Sequence, residues 1–194
     1  MKKLLCWLLL VSLFALCACS GEEAAQTEGT TEEAYPAYQY EDMPENYTEL
    51  EALEDKCLVL SWPEGELKPI VTGTEHWKYF LKALENDVDE ARIRAVYFQN
   101  GNHYYTDLTY FKGEFNMYTL NEFQSYEKAV GPYAYIKHIE GVEPNTGNLV
   151  SYYVLSELEN LTSEDVLSAA RICDIETERG VPYEPIPFTQ YGIE

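Results

Sequence analysis

Residues 91–120 read ARIRAVYFQNGNHYYTDLTYFKGEFNMYTL, a stretch rich in β-branched and aromatic residues. It is interrupted at Asn100-Gly101 and at Lys112-Gly113. Asn-Gly is the preferred pair for a two-residue type I′ hairpin turn, because both central positions need a positive φ. The stretch is therefore predicted to form an antiparallel β-meander of three strands, at 91–99, 102–111 and 114–120.

The turn positions also predict the register of this meander. Ile93 is expected opposite Leu108 and Arg94 opposite Asp107, while the second turn places Leu108 beside Met117. Alternation then sorts the side chains onto two faces. The predicted apolar face consists of Ile93, Ala95, Tyr97, Leu108, Tyr110, Phe115 and Met117. The opposite, mostly polar face carries Arg92, Arg94, Asp107 and Asn116.

Further elements are predicted on both sides of the meander. After Thr74, the residues Trp77, Phe80, Leu81 and Leu84 follow one another at helical spacing, which predicts an amphipathic helix that ends at Asn86. A second helix is predicted from Thr162, an N-cap residue followed by acids. Short strands are predicted at 58–60, 133–139 and 149–155. The expected fold class is α+β: an antiparallel β-meander sheet with two helices packed against one face, preceded by a disordered acidic tether.

The N-terminal residues 1–19, MKKLLCWLLLVSLFALCAC, have the layout of an export signal. Lys2 and Lys3 precede an apolar run, and Leu16-Cys17-Ala18-Cys19 is similar to a bacterial lipobox. Cys19 is therefore predicted to carry a lipid anchor, with a soluble secreted protein and an uncleaved anchor as the alternatives. The expected location is the extracytoplasmic face of the cell membrane, or the outer membrane in a bacterium that has one.

Composition divides the chain into four predicted segments. Residues 1–18 are the lipoprotein signal peptide, and residues 19–47 are the lipidated cysteine and a disordered acidic tether without an apolar period. Residues 48–188 form a single α+β domain of roughly 140 residues, large enough to bury a core. Residues 189–194 are a C-terminal tail. Three prolines after Gly180 predict that the end of the chain lies extended along the surface.

The charge of the chain limits its partners. The net charge is −21, and loss of Lys2 and Lys3 with the signal peptide takes it to about −23. Such a chain is repelled by phosphate backbones, so no nucleic-acid partner is expected. The expected partners are the membrane, through the lipid anchor, and an envelope protein or wall component.

Two cysteines remain for the folded domain. Cys6 and Cys17 leave with the signal peptide, and Cys19 is taken up by the lipid. In an exported protein the remaining pair, Cys57 and Cys173, indicates either a disulfide or two buried thiols. Both alternatives stay open at this stage.

The sequence contains no familiar catalytic signature, such as a Gly-x-Ser-x-Gly elbow or a His-Glu-x-x-His helix. The three histidines are far apart and have no metal-ligand spacing, so no catalytic residue, metal site or cofactor is predicted. The favoured function is a non-catalytic binding or interaction module at the cell envelope. The alternatives are an inhibitor or immunity-type module for a basic protein, and an enzyme without a recognisable motif.

The charges on the polar face of the meander have two alternative explanations. A cross-strand ion pair is the default one. The other is a binding surface, since tyrosine supplies contact area together with a polar tip, and Tyr105 and Tyr118 accompany the charges on this face. The candidate binding residues are Arg92, Arg94, His103, Tyr105, Asp107 and Tyr118.

A family resemblance covers residues 68–173 and depends on three segments: Glu75-His76-Trp77 with Phe80, Ala91-Arg92-Ile93-Arg94-Ala95-Val96, and Asp107-Leu108-Thr109-Tyr110. These segments resemble a family of small Gram-positive envelope lipoproteins with a domain of unknown function. The chain departs from the family pattern at Gly101-Asn102-His103, where the family tends to have Gly-Asp-Pro. The resemblance implies lipidation and an α+β fold, and it implies no catalytic residue.

Overall fold

The predicted meander forms the centre of a six-stranded sheet. The computed structural model describes residues 43–120, 127–172 and 183–193 of the chain. The strands of this large sheet are β1 (Leu58–Trp62), β2 (Ile70–Thr72), β3 (Glu90–Gln99), β4 (Asn102–Phe111), β5 (Glu114–Leu120) and β6 (Glu127–Tyr133). Their order across the sheet is β2-β1-β3-β4-β5-β6. Neighbouring strands are antiparallel except for β1 and β3, which run parallel.

The predicted register of the meander is confirmed. Ile93 pairs with Leu108 and Arg94 with Asp107 across β3 and β4, and Leu108 pairs with Met117 across β4 and β5. At the first turn Asn100 and Gly101 have φ values of 54° and 80°, as a type I′ hairpin requires. Turn chemistry and side-chain alternation thus agree, which is why the register could be derived locally.

A second, three-stranded sheet contains β7 (Tyr135–Val142), β8 (Leu149–Ser156) and β9 (Tyr183–Pro185), in that order. The hairpin of β7 and β8 around residues 144–147 follows the prediction. The sequence analysis missed β9, because three residues that end in proline carry too little alternation to identify a strand. Lys128 on β6 and Glu184 on β9 form an ion pair that connects the two sheets.

Within the described residues, three helices accompany the sheets: α1 (Glu49–Glu54), α2 (Thr74–Glu85) and α3 (Ser163–Ile172). Helix α2 begins after Gly73, whose φ is 73° and where a Cβ would lie 2.5 Å from the Cys57 carbonyl oxygen. Helix α3 begins as predicted, since Thr162 Oγ1 accepts a hydrogen bond from the Asp165 amide. None of these described helices is long and apolar enough to cross a membrane.

The sequence analysis missed α1, whose six residues are too few to show a helical period. Its start nevertheless has a local signature, because Thr48 and Glu51 form a reciprocal capping box. The expectation that both predicted helices pack on one face is not confirmed. Helix α2 packs against β1 and β3 of the large sheet, whereas α3 contacts β7 of the small sheet. Gly141 on β7 leaves room for this contact, since a Cβ there would lie 2.6 Å from Leu167 Cδ1.

One hydrophobic core joins the apolar face of the large sheet, α2, β8 and the end of the chain. Six of the seven residues predicted for the apolar face are buried in it, and Tyr110 packs against it partly buried. The buried members are Leu58, Leu60, Trp77, Phe80, Ala83, Ala91, Ile93, Ala95, Tyr97, Leu108, Phe115, Met117, Leu155, Ile186, Phe188 and Ile193.

Several side chains near the end of the chain are buried, contrary to the expected surface tail. Ile186, Phe188 and Ile193 all belong to the hydrophobic core, and residues Pro187–Tyr191 form a 3₁₀ helix. Thr189 Oγ1 accepts a hydrogen bond from the Tyr153 amide at 2.9 Å, which attaches this turn to β8. Proline interrupts helices and sheets, but it does not prevent neighbouring side chains from entering a core, and the proline pattern was therefore misleading.

A second hydrophobic cluster covers the opposite face of the large sheet. Helix α1 contributes Ala52, residues 43–47 contribute Tyr47, and the sheet contributes Val59, Val96 and Tyr105. Residues 43–47 belong to the segment expected to be tether, yet Tyr47 is buried here and donates a hydrogen bond to Asp55 Oδ2 at 2.6 Å. Much of the face predicted to be polar is therefore covered from this side.

Candidate functional site

The six residues of the predicted binding face lie together on β3, β4 and β5, but to different depths. Arg94, Tyr105 and Asp107 are buried, with 4%, 7% and 4% of their surface exposed. Arg92, His103 and Tyr118 are half-buried or partly exposed. The accessible part of this face is therefore smaller than the sequence indicated, and its role in binding remains a prediction.

Asp107 is the centre of a buried ion network on this face. Arg94 donates through Nε to Asp107 Oδ1 at 2.7 Å and through Nη2 to Oδ2 at 2.9 Å, and Arg92 donates to the same Oδ2. Burial alone would lower the pKa of Arg94, but the hydrogen bonds and charge of Asp107 raise it overall. The Arg94 guanidinium also lies 4.0 Å from the centre of the Tyr105 ring. The geometry of Arg92, Arg94 and Asp107 matches the ion-pair alternative.

The two aromatic residues at the border of this face are also engaged within the domain. His103 Nε2 lies 3.2 Å from the Pro44 carbonyl oxygen, so residues 43–47 cover the ring from one side. The Tyr118 ring lies 6.1 Å from that of Tyr105. The His103 contact connects residues 43–47 to the sheet, and the Tyr118 contact joins β4 to β5.

Cys57 lies beneath α1, where its side chain is buried and forms no disulfide with any residue that the structure describes. Burial raises its pKa to about 12, although the Tyr47 hydroxyl at 3.9 Å and the charge of Arg94 act in the opposite direction. Cys173 lies outside the described residues. The alternatives of a disulfide and two thiols therefore remain open.

Alkylation of Cys57 at pH 8 is expected to be at least about a thousandfold slower in the native protein than in denaturant. A pKa of about 12 in place of 9.0 leaves about a thousandth of the reactive thiolate, and burial hinders the reagent further. A Cys173→Ala variant isolates the Cys57 signal, and iodoacetamide labelling followed by mass spectrometry measures the rate. Equal rates in native and denatured protein would contradict the buried position. Denatured, unreduced wild-type chain tests the disulfide: free Cys57 and Cys173 thiols exclude it, and two blocked ones support it.

A cleft of about 140 Å³ lies between α2, β7, β8 and the end of the chain. We name it the α2–β8 cleft. Its lining residues are Trp77, Lys78, Leu81, His138, Ser151, Tyr153, Thr189 and Ile193. The sequence analysis found the helix that carries Trp77, but it did not identify a site here, because the eight residues come from four separate parts of the chain.

The aromatic part of this cleft is held in place by packing. Trp77 is 1% exposed, and its ring stacks on Phe80 at a centroid distance of 5.5 Å. Its ring also meets Tyr153 at 5.1 Å and Phe188 at 5.5 Å, both edge to face. Aromatic pairs in these arrangements are favourable beyond their buried area. The aromatic wall is therefore preformed.

A histidine and a serine form the polar side of the cleft. His138 Nε2 and Ser151 Oγ lie 2.8 Å apart, and the His138 ring stacks on Tyr153 at 4.5 Å. Glu140 Oε1 lies 3.8 Å from the same Nε2 atom. In a Ser-His-acid triad the acid binds the other ring nitrogen, so this arrangement differs from that of an activated nucleophile. It provides hydrogen-bonding groups at the side of an apolar cleft.

The comparisons with known proteins identify no relative. No protein-family model matches the chain, and no curated protein or solved structure is significantly similar to it. The function is therefore argued from the chain itself.

In residues 43–120, 127–172 and 183–193, no group of three or more histidine, cysteine or acidic side chains could hold a metal ion.

Ser151 and His138 could have been paired from the sequence by extending the register of the predicted β7–β8 hairpin, in which His138 lies opposite Tyr153. The contribution of Trp77 and Ile193 to the same cleft has no such local signal.

Proposed function

We propose that this protein is a lipid-anchored binding module at the extracytoplasmic face of the cell envelope, and that it binds its ligand in the α2–β8 cleft. The observation that carries the binding function is the preformed aromatic wall around Trp77, next to hydrogen-bonding groups on His138 and Ser151. Concave, largely apolar sites with a few converging polar groups are typical of ligand binding.

Binding is favoured over catalysis by the geometry of the polar groups. A nucleophilic serine needs a base whose second ring nitrogen is oriented by another group. Here Glu140 and Ser151 both approach Nε2 of His138. The pair is therefore better suited to hydrogen bonding with a ligand than to activating a hydroxyl.

The proposed location rests on the N-terminal sequence. Residues 1–19 have the layout of a lipoprotein signal, and Cys19 is the proposed site of acylation. Residues 20–42 contain seven acidic and no basic residues. In the proposal they form an extended spacer, because their like charges repel one another and an anionic membrane surface. The resemblance to Gram-positive envelope lipoproteins favours the same location.

A Cys19→Ala variant is expected to lose acylation and to be released from the membrane. The thioether-linked lipid needs the Cys19 sulfur, and two or more acyl chains are required for stable anchoring. Cys17→Ala is the matched control, since it changes a neighbouring cysteine of the signal and keeps Cys19. Membrane fractionation with metabolic labelling by a palmitate analogue measures both effects. Unchanged labelling and membrane retention of Cys19→Ala would refute the proposed anchor.

A further inference from the structure

We infer that the α2–β8 cleft takes a small ligand built from one apolar ring and a carboxylate, such as an aryl carboxylate. This inference rests on the proposed binding function and names the class of ligand. Three properties of the cleft support it: its volume, the apolar character of its walls, and the cation at its border.

The volume of the cleft limits the ligand to about one ring. An enclosed apolar cavity of about 150 Å³ is known to accommodate benzene. The cleft has about 140 Å³, while sites for drug-sized ligands measure about 300–1,000 Å³. A single six-membered ring therefore matches the space inside the cleft, and a larger ligand would extend beyond its open side.

The walls of the cleft favour an apolar ring over a sugar. Leu81 and Tyr153 present carbon to the space, while Trp77 and Ile193, at 1% and 3% exposure, contribute little accessible surface of their own. Thr189 is polar, but its hydroxyl already donates to the Ile186 carbonyl oxygen at 2.7 Å and accepts from the Tyr153 amide at 2.9 Å. A sugar would bury several hydroxyl groups against these walls without hydrogen-bond partners, which is costly.

The polar side of the cleft favours an anion. Lys78 is exposed, lines the cleft, and within the described residues takes part in no ion pair or hydrogen bond. In a chain with a net charge of −21, such a cation is available to an external carboxylate. Ser151 Oγ can donate a hydrogen bond to the same group when His138 Nε2 carries the proton and donates to Ser151. The carboxylate of Glu140 near His138 repels an anionic ligand. The positive charge of Lys78 is therefore required for the cleft to favour a carboxylate.

The test measures binding of two ligands to the acylated chain in lipid nanodiscs, with empty nanodiscs as the blank. Phenylacetate carries the ring and the carboxylate, and benzyl alcohol carries the ring alone. Saturation-transfer NMR titrations are expected to show that both ligands bind and that phenylacetate has the higher affinity. Lys78→Met is expected to lower the affinity for phenylacetate by about fivefold and to leave the affinity for benzyl alcohol unchanged. Lys112→Met, at the turn between β4 and β5, removes the same charge away from the cleft and is expected to change neither ligand.

The outcomes separate the ligand class from the binding function. If benzyl alcohol binds but phenylacetate is no tighter, or if Lys78→Met has no effect, the carboxylate inference is overturned and the binding site stands. If neither ligand binds, both the inference and the proposed use of the cleft are overturned. A Leu81→Phe variant, which fills the cleft, is expected to abolish binding of both ligands. Retained binding in a folded Leu81→Phe protein would place the ligand elsewhere and overturn the inference.

Discussion

Replacing Asp107 with alanine is expected to reduce the free energy of unfolding by about 3–5 kcal/mol. Asp107 accepts two hydrogen bonds from Arg94, whose side chain is 5% exposed, so its removal leaves a buried guanidinium without its carboxylate. Chemical denaturation followed by circular dichroism measures the loss. A reduction below about 1 kcal/mol would show that the network is hydrated and contributes little.

Two further variants test whether the stability lost in Asp107→Ala comes from an uncompensated buried charge or from lost packing. Arg92→Ala removes the more exposed arginine, at 27% exposure, and is expected to cost about 1 kcal/mol or less. The double variant Arg94→Met/Asp107→Leu removes both buried charges and is expected to regain most of the stability lost in Asp107→Ala. A double variant as unstable as Asp107→Ala would mean that the loss does not come from an uncompensated charge.

Replacing Phe188 with alanine is expected to reduce the free energy of unfolding by about 3–5 kcal/mol, as for other fully buried phenylalanines. Phe188 is completely buried and meets the ring of Trp77 edge to face. Its loss leaves a cavity in the core that joins α2 to β8. Thermal and chemical denaturation of the same preparations provide the measurement.

Gln190→Ala is the matched control for this prediction. It lies two residues further along the same 3₁₀ helix and is exposed, so its expected effect is within about 0.5 kcal/mol. Removal of residues 186–194 deletes three buried hydrophobic side chains and the Thr189 hydrogen bonds, and is expected to abolish cooperative unfolding. If Phe188→Ala were as mild as Gln190→Ala, the end of the chain would lie on the surface, as its prolines suggested.

Much of the large sheet could be derived from the sequence because its information is local. Asn100-Gly101 predicts both a hairpin and its register, and a one-residue shift would have moved every apolar side chain to the wrong face. The start of α3 is likewise determined within one helical turn, by the hydrogen bond from the Asp165 amide to Thr162 Oγ1. These features depend on residues close in sequence, so alternation and capping were sufficient to find them.

The candidate site could not be derived in the same way. The neighbourhood of His138 and Ser151 follows from one hairpin, but Trp77 reaches them from a helix some sixty residues earlier, and Ile193 from the other end of the chain. The predicted face around Asp107 was found as a set of residues, but the burial of Tyr105 on this face in one cluster with α1 and Tyr47 was not. Neither the assembly of the cleft nor the packing of α1 on the sheet leaves a periodic pattern in the sequence, since each joins segments that are distant along the chain.

The sequence by itself determined the meander, its register, the identity of its two faces and the starts of α2 and α3. It also carries the signal-like residues 1–19 on which the proposed location rests. Only the tertiary structure decided that α1 and Tyr47 pack against Val96 and Tyr105 of the polar face, that the proline-rich end enters the core beside Trp77, and that a cleft forms there. The physical reason is that turns and alternation act over a few residues, whereas burial depends on the shapes of surfaces that meet only after the chain has folded.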